Sequence, residues 1–418
     1  MTHARSACGV AALVLFATAC GSVASQPSGP VLRIGAIFPL GAPNQPEAGQ
    51  ELLGVTIAKD MVNSDNLAGG TRLALDVRDV DTVAAAPGAA ASLRADGVAA
   101  VIGAYSSALS IAASTAVAAD GMVYWESGAV ADQLTGRGLP LVFRVGADGA
   151  DLGGNSGRFV VEQIAPRLGA SPSSLRAFLV TADDAYAHSV SDGVRAALRA
   201  SGVAAIDEAT YDPFAPQWSP VLDAIRTAAP DVLLLSSHIP DGIAFRRAFV
   251  ASGLHVRAFI GTSMAQCMSP FGDALGADAV GVFASDRPEA NFNPGALSGS
   301  ARSLYDRFAA AWRQRTGTPP TEEGLAGFSA AWALFHDVLP RAGGESATAI
   351  ASAARALTLP EGSLPNGAGV QFATSSGKLG QNLRAAAVIW QWQAVRHSVV
   401  VWPADYATGA ITMVPLPV

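Results

Sequence analysis

The chain has 418 residues, of which half are hydrophobic and 15% are charged, a composition too apolar for a disordered protein and sufficient for a large buried core. Its 34 acidic residues outnumber its 27 basic residues, which gives a formal net charge of −7. Because nucleic-acid-binding proteins carry a basic surface, this balance argues against DNA or RNA as a partner.

The N-terminal segment is typical of a secretory signal. Arg5 is followed by the apolar run Val10–Phe16, and three small residues then precede Cys20. Small residues before a cysteine resemble a lipobox, where the thiol is lipidated and the peptide is cut before it; ordinary signal-peptidase cleavage nearby is the alternative. We expect a signal peptide over residues 1–19, a lipid on Cys20 that anchors the protein to the cell membrane, and a flexible tether over residues 20–30.

Beyond the tether, short apolar segments alternate with segments of helical pattern. The predicted strands are Val31–Phe38, Leu73–Val77, Val98–Ile102, Leu141–Val145, Ala177–Val180, Val232–Leu235, Val256–Ile260 and Val280–Phe283. The predicted helices are Gly49–Val62, Ala84–Arg94, Ser107–Ala119, Ser156–Leu168, Ser189–Ala200, Pro220–Ala228, Gly242–Ala251 and Ser300–Arg315. Apolar strands that alternate with helices predict an α/β fold with parallel sheets covered on both faces. The number of units exceeds one doubly wound domain, so we expect two similar lobes.

Two segments depart from this pattern. Arg384–Trp392 and Val395–Trp402 are predicted to be neighbouring strands with no helix between them. Val98–Ala119 carries no charge over a length that could span a membrane, but Gly103 and several serines interrupt it. A buried strand followed by an alanine-rich helix is the better interpretation.

Motifs that would indicate an enzyme are missing from the sequence. It contains no GxGxxG after a strand, no P-loop, no GxSxG and no HExxH. Three cysteines and six scattered histidines do not form a zinc-ligand set. The pairs Asp79/Asp81 and Asp183/Asp184 favour a solvated loop and a helix cap over a metal site. We expect no catalysis, no cofactor and no metal.

In open α/β sheets, ligands bind beyond the carboxyl ends of the strands. The loops at these ends are Pro39–Ala48, Gly103–Ser107, Glu126–Asp132, Gly146–Gly154, Thr181–Tyr186, Ser236–Asp241 and Gly261–Gln266. In Val101–Ser107 (VIGAYSS), a buried strand ends in glycine and two serines begin a helix. Helix N-terminal amides and a serine hydroxyl form a cradle for an anion or carboxylate, although either serine could simply cap the helix.

Other segments in the same order carry a family resemblance. They are Ile34–Leu40 (IGAIFPL), Gly49–Gly54 (GQELLG), Glu126–Thr135 (ESGAVADQLT), Phe143-Arg144 followed by Asp148 and Asp151, Ala185-Tyr186, and Val388–Gln393 (VIWQWQ). From about Ile34 to Trp392 the chain resembles the branched-chain-amino-acid-binding family of periplasmic binding proteins, the type I solute-binding subunits of ABC importers.

The resemblance implies two Rossmann-like lobes that are joined by three crossovers and close over a ligand. One lobe would comprise residues 31–148 plus 288–372, and the other residues 149–287 plus 373–418. It further implies a monomer that captures a small solute outside the membrane and delivers it to an ABC permease, without a cofactor. A lipoprotein that senses a ligand without transporting it is the alternative function.

The resemblance also assigns residues to a first ligand corner. Ser107 matches the serine that holds the ligand carboxylate, and Tyr105 and Ser106 complete the corner, with Ser106 in place of a cysteine of the family disulfide. The matching positions of the next loop, which supplies backbone groups, are Gly128, Ala129 and Val130, where the family's threonine is missing.

The remaining assignments fall mostly in the second lobe. Tyr186 matches a ligand-facing aromatic residue, and His238 falls where an aromatic wall is usual. Ser263 stands in place of the acid that pairs with the ligand ammonium.

Three further positions are less specific. Glu47 aligns with an aromatic residue and could instead serve a cationic group. Phe328 either contacts the ligand or belongs to the core, and Asp148 either contacts the ligand or caps the crossover helix.

The replacement at Ser263 bears on the choice of ligand. A buried ammonium without its carboxylate would lose several kcal/mol, of the order of a broken buried ion pair. The sequence therefore predicts that free branched-chain amino acids are not the ligand. It favours a small polar ligand that bears a carboxylate or an amide.

Overall fold

The computed structural model describes residues 30–42, 47–68, 70–289 and 291–417. The predicted signal peptide, the lipidation at Cys20 and the tether up to residue 29 lie outside the described residues. The strands are β1 (Val31–Phe38), β2 (Arg72–Asp79), β3 (Ala100–Gly103), β4 (Val123–Glu126), β5 (Val142–Arg144), β6 (Arg176–Ala182), β7 (Ala205–Tyr211), β8 (Val232–Ser237), β9 (Ala258–Met264), β10 (Phe283–Asp286), β11 (Thr358–Leu359), β12 (Val370–Gln371), β13 (Val388–Ala394) and β14 (His397–Trp402).

The helices alternate with these strands over most of the chain. They are α1 (Ala48–Ser64), α2 (Ala86–Ala95), α3 (Ser107–Ala119), α4 (Gln133–Gly136), α5 (Gly149–Phe159), α6 (Ala165–Arg167), α7 (Ala185–Ala200), α8 (Trp218–Ala228), α9 (Ile239–Ala251), α10 (Ser269–Leu275), α11 (Gly299–Thr316), α12 (Glu322–Trp332) and α13 (Ala347–Ala356).

Two sheets form the centre of the fold. The first has the strand order β2-β1-β3-β4-β5, and every neighbouring pair is parallel. The second has the order β14-β13-β10-β9-β8-β6-β7, in which β13 runs antiparallel to both β10 and β14 and the other pairs are parallel. The predicted α/β fold with two largely parallel sheets is therefore confirmed.

The chain passes between the two sheets three times: after β5, after β10 and after β12. After β10 it returns to the first sheet, where α11 and α12 pack against α1. Hydrogen bonds join the first and third passages, from Arg144 Nε to Gln381 Oε1 (2.6 Å) and from Asn382 Nδ2 to Val145 O (2.9 Å). The passages lie near the predicted lobe limits, and the exact limits stay a prediction.

Each sheet is covered by apolar side chains on both faces. Along β1, Ile34 and Phe38 belong to one core together with Phe328, whereas Ile37 belongs to a separate core on the opposite face. The second sheet likewise has one core on each face. This double burial explains why the parallel strands are apolar along their whole length rather than alternating.

Helices α1 and α12 approach each other closely because glycines line their contact. A Cβ at Gly54 of α1 would lie 2.1 Å from the backbone oxygen of Gly324, and one at Gly327 of α12 would lie 2.2 Å from the backbone oxygen of Glu51. A side chain at either position would clash with the backbone. The close approach sets the first turn of each helix against the second turn of the other, which matters for the site described below.

Most predicted elements are found within a few residues of their predicted limits. The uncharged segment Val98–Ala119 divides into a strand and a helix, as predicted. The predicted helix Ser156–Leu168 was wrong at its start, because α5 begins at Gly149 with the cap residue Asp148. In the described ranges, no helix is both long and apolar enough to cross a membrane.

Candidate functional site

The carboxyl ends of the two parallel sheets face one another. Arg287, which directly follows β10 of the second sheet, donates from Nη1 to the backbone oxygen of Gly128 (2.8 Å), which follows β4 of the first sheet. Loops that leave these strand ends enter helix N-termini, the place where open α/β sheets bind ligands. We call the region between the two edges the interlobe site.

The first corner of this site is Tyr105–Ser107, between β3 and α3. The Ser107 hydroxyl oxygen accepts a hydrogen bond from the Ala131 amide (3.2 Å), so its own proton remains available to a ligand. Ser106 occupies the N-cap position of α3, but its side chain makes no capping hydrogen bond. Tyr105 is buried and has a φ of 70°, which is uncommon for a residue with a side chain.

The loop after β4 is arranged differently from the expectation. The amides of Gly128 and Ala129 both donate to Glu126 Oε1 at 2.8 Å, so these donors turn inward to a buried carboxylate. Burial raises the pKa of Glu126 although these amides stabilise its charge. Val130 packs in a core of the second sheet, and its backbone oxygen accepts from the Gly149 amide (2.7 Å).

The second-sheet side contains Tyr186 and His238, as predicted. Their rings lie 4.9 Å apart, and the Tyr186 hydroxyl donates to the Ser237 backbone oxygen (3.2 Å). His238 Nε2 lies 2.6 Å from Asp184 Oδ2. Burial lowers the pKa of His238, but the hydrogen bond and charge of Asp184 outweigh burial and hold that pKa above its usual value.

Ser263 lies at the end of β9 with a φ of 65°, and its hydroxyl donates to Asp286 Oδ2 (2.9 Å). The Met264 amide donates to the same oxygen (2.8 Å). The carboxylate of Asp286 is therefore hydrogen-bonded to Ser263, the position at which the family resemblance expects an acid. The shortage of negative charge that was argued from Ser263 does not exist in this part of the molecule.

Two predicted residues serve the scaffold in this structure. Asp148 accepts from the Asp151 amide (2.7 Å) at the start of α5 and pairs with Lys378 (3.2 Å), which matches the capping alternative. Phe328 is fully buried, with its ring 4.4 Å from that of Phe308. Whether either residue contacts a ligand stays a prediction.

The feature that sequence reasoning missed is a group of buried acids at the interlobe site. We define the acidic cluster as Glu47 and Glu51 at the start of α1, Asp286 at the end of β10, and Glu322 and Glu323 at the start of α12. Each of the five is at most 5% exposed. Among the described residues, Arg287 is the one basic side chain that pairs with them, through Glu322 (Nε to Oε1, 2.6 Å) and Asp286 (3.7 Å).

Burial makes ionisation of these acids costly. It raises the pKa of Glu51 and of Glu323 to about 8, with the charges of neighbouring acids adding to the effect and the charge of Arg287 opposing it. Burial also raises the pKa of Glu322 and Glu47. These shifts follow from removing charged groups from water without enough opposite charge nearby.

Three carboxylate oxygens of the cluster are buried without a hydrogen-bond partner among the described residues: Oε2 of Glu47, Oε2 of Glu51 and Oε2 of Glu323. Buried polar atoms are normally satisfied, so such atoms call for an explanation. The same acids act on the Tyr105 hydroxyl: burial, and then the charges of Glu323, Glu47, Glu51 and Glu322, raise its pKa.

A metal could find three ligand atoms at one side of the cluster. The ligand atoms of Cys267, Asp286 and Glu322 lie within 4.8 Å of one another. However, Arg287 already pairs with Glu322 and supplies a positive charge there. Burial raises the pKa of the Cys267 thiol, which disfavours the thiolate that a metal needs. This chemistry does not favour a metal site.

A sequence signal for the cluster was present but weak. Asp286 and Arg287 end an otherwise apolar strand, and Glu322 and Glu323 begin a helix that is buried on all sides. Charged pairs inside apolar runs indicate buried polar groups. The loop after β10 was not among the loops considered, and α12 was not predicted.

Comparison with known proteins places the chain in a family. Residues 31–391 match the periplasmic binding protein family. The Leu/Ile/Val-binding protein homolog 8 of Brucella abortus (strain 2308) is 30% identical over 379 residues, which cover 90% of this chain and 91% of that protein. These relatives are named as binding proteins rather than enzymes.

Solved structures share the fold. The leucine binding protein LivK from Thermotoga maritima MSB8 superposes with a TM-score of 0.74 at 18% identity, covering 89% of this chain and 98% of that chain. A solute binding protein of an ABC transporter from Rhodopseudomonas palustris BisB5, in complex with 3,4-dihydroxy benzoic acid, gives a TM-score of 0.68 at 17% identity, covering 86% of this chain and 93% of that chain. Together with the two facing sheets, these matches show that the chain belongs to the periplasmic binding protein family, whose members act outside the cytoplasmic membrane, as a type I member related to Leu/Ile/Val-binding proteins.

Proposed function

We propose that this protein captures a small amino-acid-type ligand between its two lobes and delivers it to an ABC permease. The observation that carries the proposal is the meeting of both carboxyl sheet edges at one site, where Arg287 of one sheet bonds Gly128 of the other. A ligand at such a site contacts both lobes only when they are closed, and so it shifts the population toward the closed form.

The two ends of such a ligand have different partners in this proposal. The carboxylate lies at the Ser107 corner, where the N-terminus of α3 and a free hydroxyl proton favour an anion. The ammonium lies on the acidic side of the site, supplied by the cluster rather than by Ser263. Micromolar affinity requires about 8 kcal/mol, which a few charged hydrogen bonds and ring contacts can supply.

The polarity of the site also argues against branched-chain amino acids. The site contains the five buried carboxylates of the group described above, and an aliphatic side chain placed among them would desolvate charge without compensation. We therefore keep the proposal that the ligand is small and polar, although the reason is an excess of buried acid rather than the loss of one.

The identity of the bound molecule can be tested without assuming it. Protein purified without added ligand is denatured, and the released small molecules are identified by mass spectrometry. We expect about one molecule per chain, with a carboxylate and an amino group. Release of nothing, from protein that also fails to bind any of the 20 amino acids in calorimetry, would contradict the proposal.

A point substitution tests the carboxylate corner. Ser107→Ala removes the hydroxyl donor and should weaken binding of the released molecule about tenfold, the size of one hydrogen bond to a charged group. Ser303→Ala, on the exposed face of α11, is the control and should leave the affinity unchanged. Equal affinities for both variants would remove Ser107 from the site.

The membrane anchor is part of the same proposal. A lipid on Cys20 would hold a monomeric protein near its permease. Cys20→Ala should release the protein from the membrane fraction and abolish the mass increase of a lipidated N-terminus, measured by mass spectrometry. A protein that remains in the membrane fraction after this change would contradict lipidation at Cys20.

A further inference from the structure

The acidic cluster carries more negative charge than the protein itself compensates. Five buried carboxylates face one guanidinium, that of Arg287, which bonds Glu322. With all groups ionised, the cluster and Arg287 together hold a net charge of −4. Burying charge without a partner costs several kcal/mol for each ion, and apolar residues of similar size would fill the space without that cost. In the unliganded protein these acids reduce that cost by holding protons, as the raised pKa of Glu51 and of Glu323 indicates, and a cation from outside the chain would allow them to ionise.

Unpartnered oxygens indicate where that partner belongs. Glu47 Oε2 and Glu323 Oε2 are buried, and neither has a hydrogen-bond partner in the part of the chain that the structure describes. Glu47 precedes the first turn of α1 and Glu323 lies in the first turn of α12. The two residues belong to helices that pack against each other, and the charge of Glu47 adds to the raised pKa of Glu323. Two carboxylates that act on each other, each with a free oxygen, form an acceptor pair for a donor with several N–H groups.

Tyr105 adds an aromatic ring at the same place. Glu47 and Glu323 are among the acids whose charges act on its hydroxyl. The residue is held in the left-handed region (φ 70°), so the backbone at the end of β3 is committed to this unusual conformation. An aromatic ring beside carboxylates is a suitable environment for an ammonium or guanidinium, which binds through charge, hydrogen bonds and the ring face.

A simple zwitterion would not balance the site. Its carboxylate and its ammonium cancel, so the net charge of the closed, liganded site would remain that of the empty one. A ligand with one extra cationic group would reduce the excess. A metal ion is a poorer candidate, because the free oxygens belong to Glu47, Glu51 and Glu323, whereas the trio with suitable ligand spacing is already paired with Arg287.

We propose that the interlobe site selects an organic cation: its ligand carries a net positive charge, and an ammonium or guanidinium group lies between Glu47 and Glu323 beside Tyr105. The inference rests on the proposed function and makes its ligand class specific. Two sources share this chemistry, namely basic α-amino acids, whose carboxylate would use the Ser107 corner, and amines without a carboxylate.

Isothermal titration calorimetry of the purified full chain separates these classes. The probes are L-arginine, L-lysine, putrescine and L-leucine, at pH 7.5 and low salt. We expect at least one of the three cations to bind at least ten times more tightly than L-leucine. Tight binding of L-arginine or L-lysine identifies a basic amino acid as the source, and tighter binding of putrescine identifies an amine without a carboxylate.

Charge-removing variants test the location. Glu323→Gln and Glu47→Gln keep the shape of the side chain and remove its charge, and each should weaken binding of the preferred cation at least tenfold. Because each replaces a buried acid whose ionisation is costly with a neutral side chain, the unliganded variants should melt at the same temperature as the parent or higher. Asp337→Asn is the control: Asp337 is similarly buried but pairs with His336 (3.0 Å) and Arg341 (3.5 Å), outside the cluster, and its loss should not change cation affinity.

The outcomes distinguish this inference from the function on which it rests. L-leucine binding as tightly as every cation would overturn the inference and leave amino-acid capture intact. Failure of all three cations to bind would also overturn it, whereas the proposed function would fall only if no molecule is released from the purified protein and none of the 20 amino acids binds to it. If both glutamine variants melt at a lower temperature than the parent and bind the cation with unchanged affinity, the acids stabilise the fold rather than bind the ligand, and the inference is overturned.

Discussion

Arg287→Met is predicted to destabilise the closed protein strongly, and more so at high pH. The Arg287 side chain is 8% exposed, and it donates to Glu322 Oε1 (2.6 Å) and to the backbone oxygen of Gly128 (2.8 Å). It thereby connects the end of β10 with the loop after β4 and with α12. Methionine fills similar volume but removes every one of these donors.

The magnitude follows from what the substitution leaves behind. Removing one partner of a buried ion pair costs about 3–5 kcal/mol, because the other charge stays buried and unpaired. The orphaned Glu322 can escape that cost by taking up a proton. Protonation of a glutamic acid with an ordinary pKa near 4.3 costs about 1.4 kcal/mol per pH unit, hence about 5 kcal/mol at pH 8 and about 1.6 kcal/mol at pH 5.5. We therefore expect a loss of about 4 kcal/mol at pH 8 and below about 2 kcal/mol at pH 5.5.

Urea unfolding at both pH values, followed by tryptophan fluorescence and by circular dichroism, measures the loss. Arg226→Met is the control: Arg226 pairs with Asp223 on the surface, both side chains are more than half exposed, and such pairs contribute at most about 1 kcal/mol. A loss at pH 8 no larger than that of the control, or one that does not change between the two pH values, would refute the reasoning about Arg287.

Three further predictions concern stability. Gly54→Ala should lower the free energy of unfolding in urea by about 1–3 kcal/mol, because its Cβ would meet the backbone of α12. Gly49→Ala in the same helix has open space around its Cβ and should be neutral or stabilising. Equal effects of the two substitutions would contradict the close contact between the helices. Asp184→Asn keeps a capping side chain but removes the charge beside His238, a pair that stabilises the fold below about pH 6.5, because the pKa of His238 is raised, and above about pH 4, because the pKa of Asp184 is lowered. The variant should therefore lose about 1 kcal/mol of unfolding free energy at pH 5.5 and little at pH 8.5. Asp183→Asn is the exposed control, and a loss that does not depend on pH would contradict the prediction. The acidic cluster binds protons more strongly in the folded state than in the unfolded state, because burial raises the pKa of its acids. The free energy of unfolding of the unliganded protein should therefore fall as pH rises from about 4.5 to about 8, by about 1.4 kcal/mol per pH unit for each titrating group. A free energy of unfolding that rises across this pH range would contradict the burial of these acids.

The parallel strands could be predicted because burial on both faces leaves a continuous apolar signal. Val31–Phe38 was predicted with the limits that β1 has, since every residue after Arg33 is buried. Strand β7 (Ala205–Tyr211) was missed because it lies at the edge of its sheet, carries Asp207 and Glu208, and has mostly exposed side chains. An edge strand needs no apolar run, so its sequence resembles that of a loop.

Helix α12 escaped prediction for the opposite reason. All eleven residues of Glu322–Trp332 are buried, so no polar face marks a helical period. The acids that open this helix are functional candidates only because α12 returns from the second sheet to pack on α1. No local sequence pattern predicts the contact between α1 and α12, because these helices are more than 250 residues apart in the chain.

The predicted ligand residues show which of their features follow from the sequence pattern and which depend on distant contacts. Tyr105, Ser107 and Tyr186 all lie at carboxyl strand ends, where the alternating pattern placed them. The direction of the amides at Gly128 and Ala129 could not be predicted, because it depends on the buried Glu126 that accepts from both. The role of Ser263 likewise depends on Asp286, which lies behind it on a neighbouring strand.

A crystal structure of the protein with the molecule that co-purifies with it tests the central claim most directly. The account predicts density between the two sheets, with a cationic group within hydrogen-bond distance of Glu323 and a polar or anionic end at Ser107. Density for the bound molecule at any other place, or at this place with an aliphatic group among the acids, would contradict it.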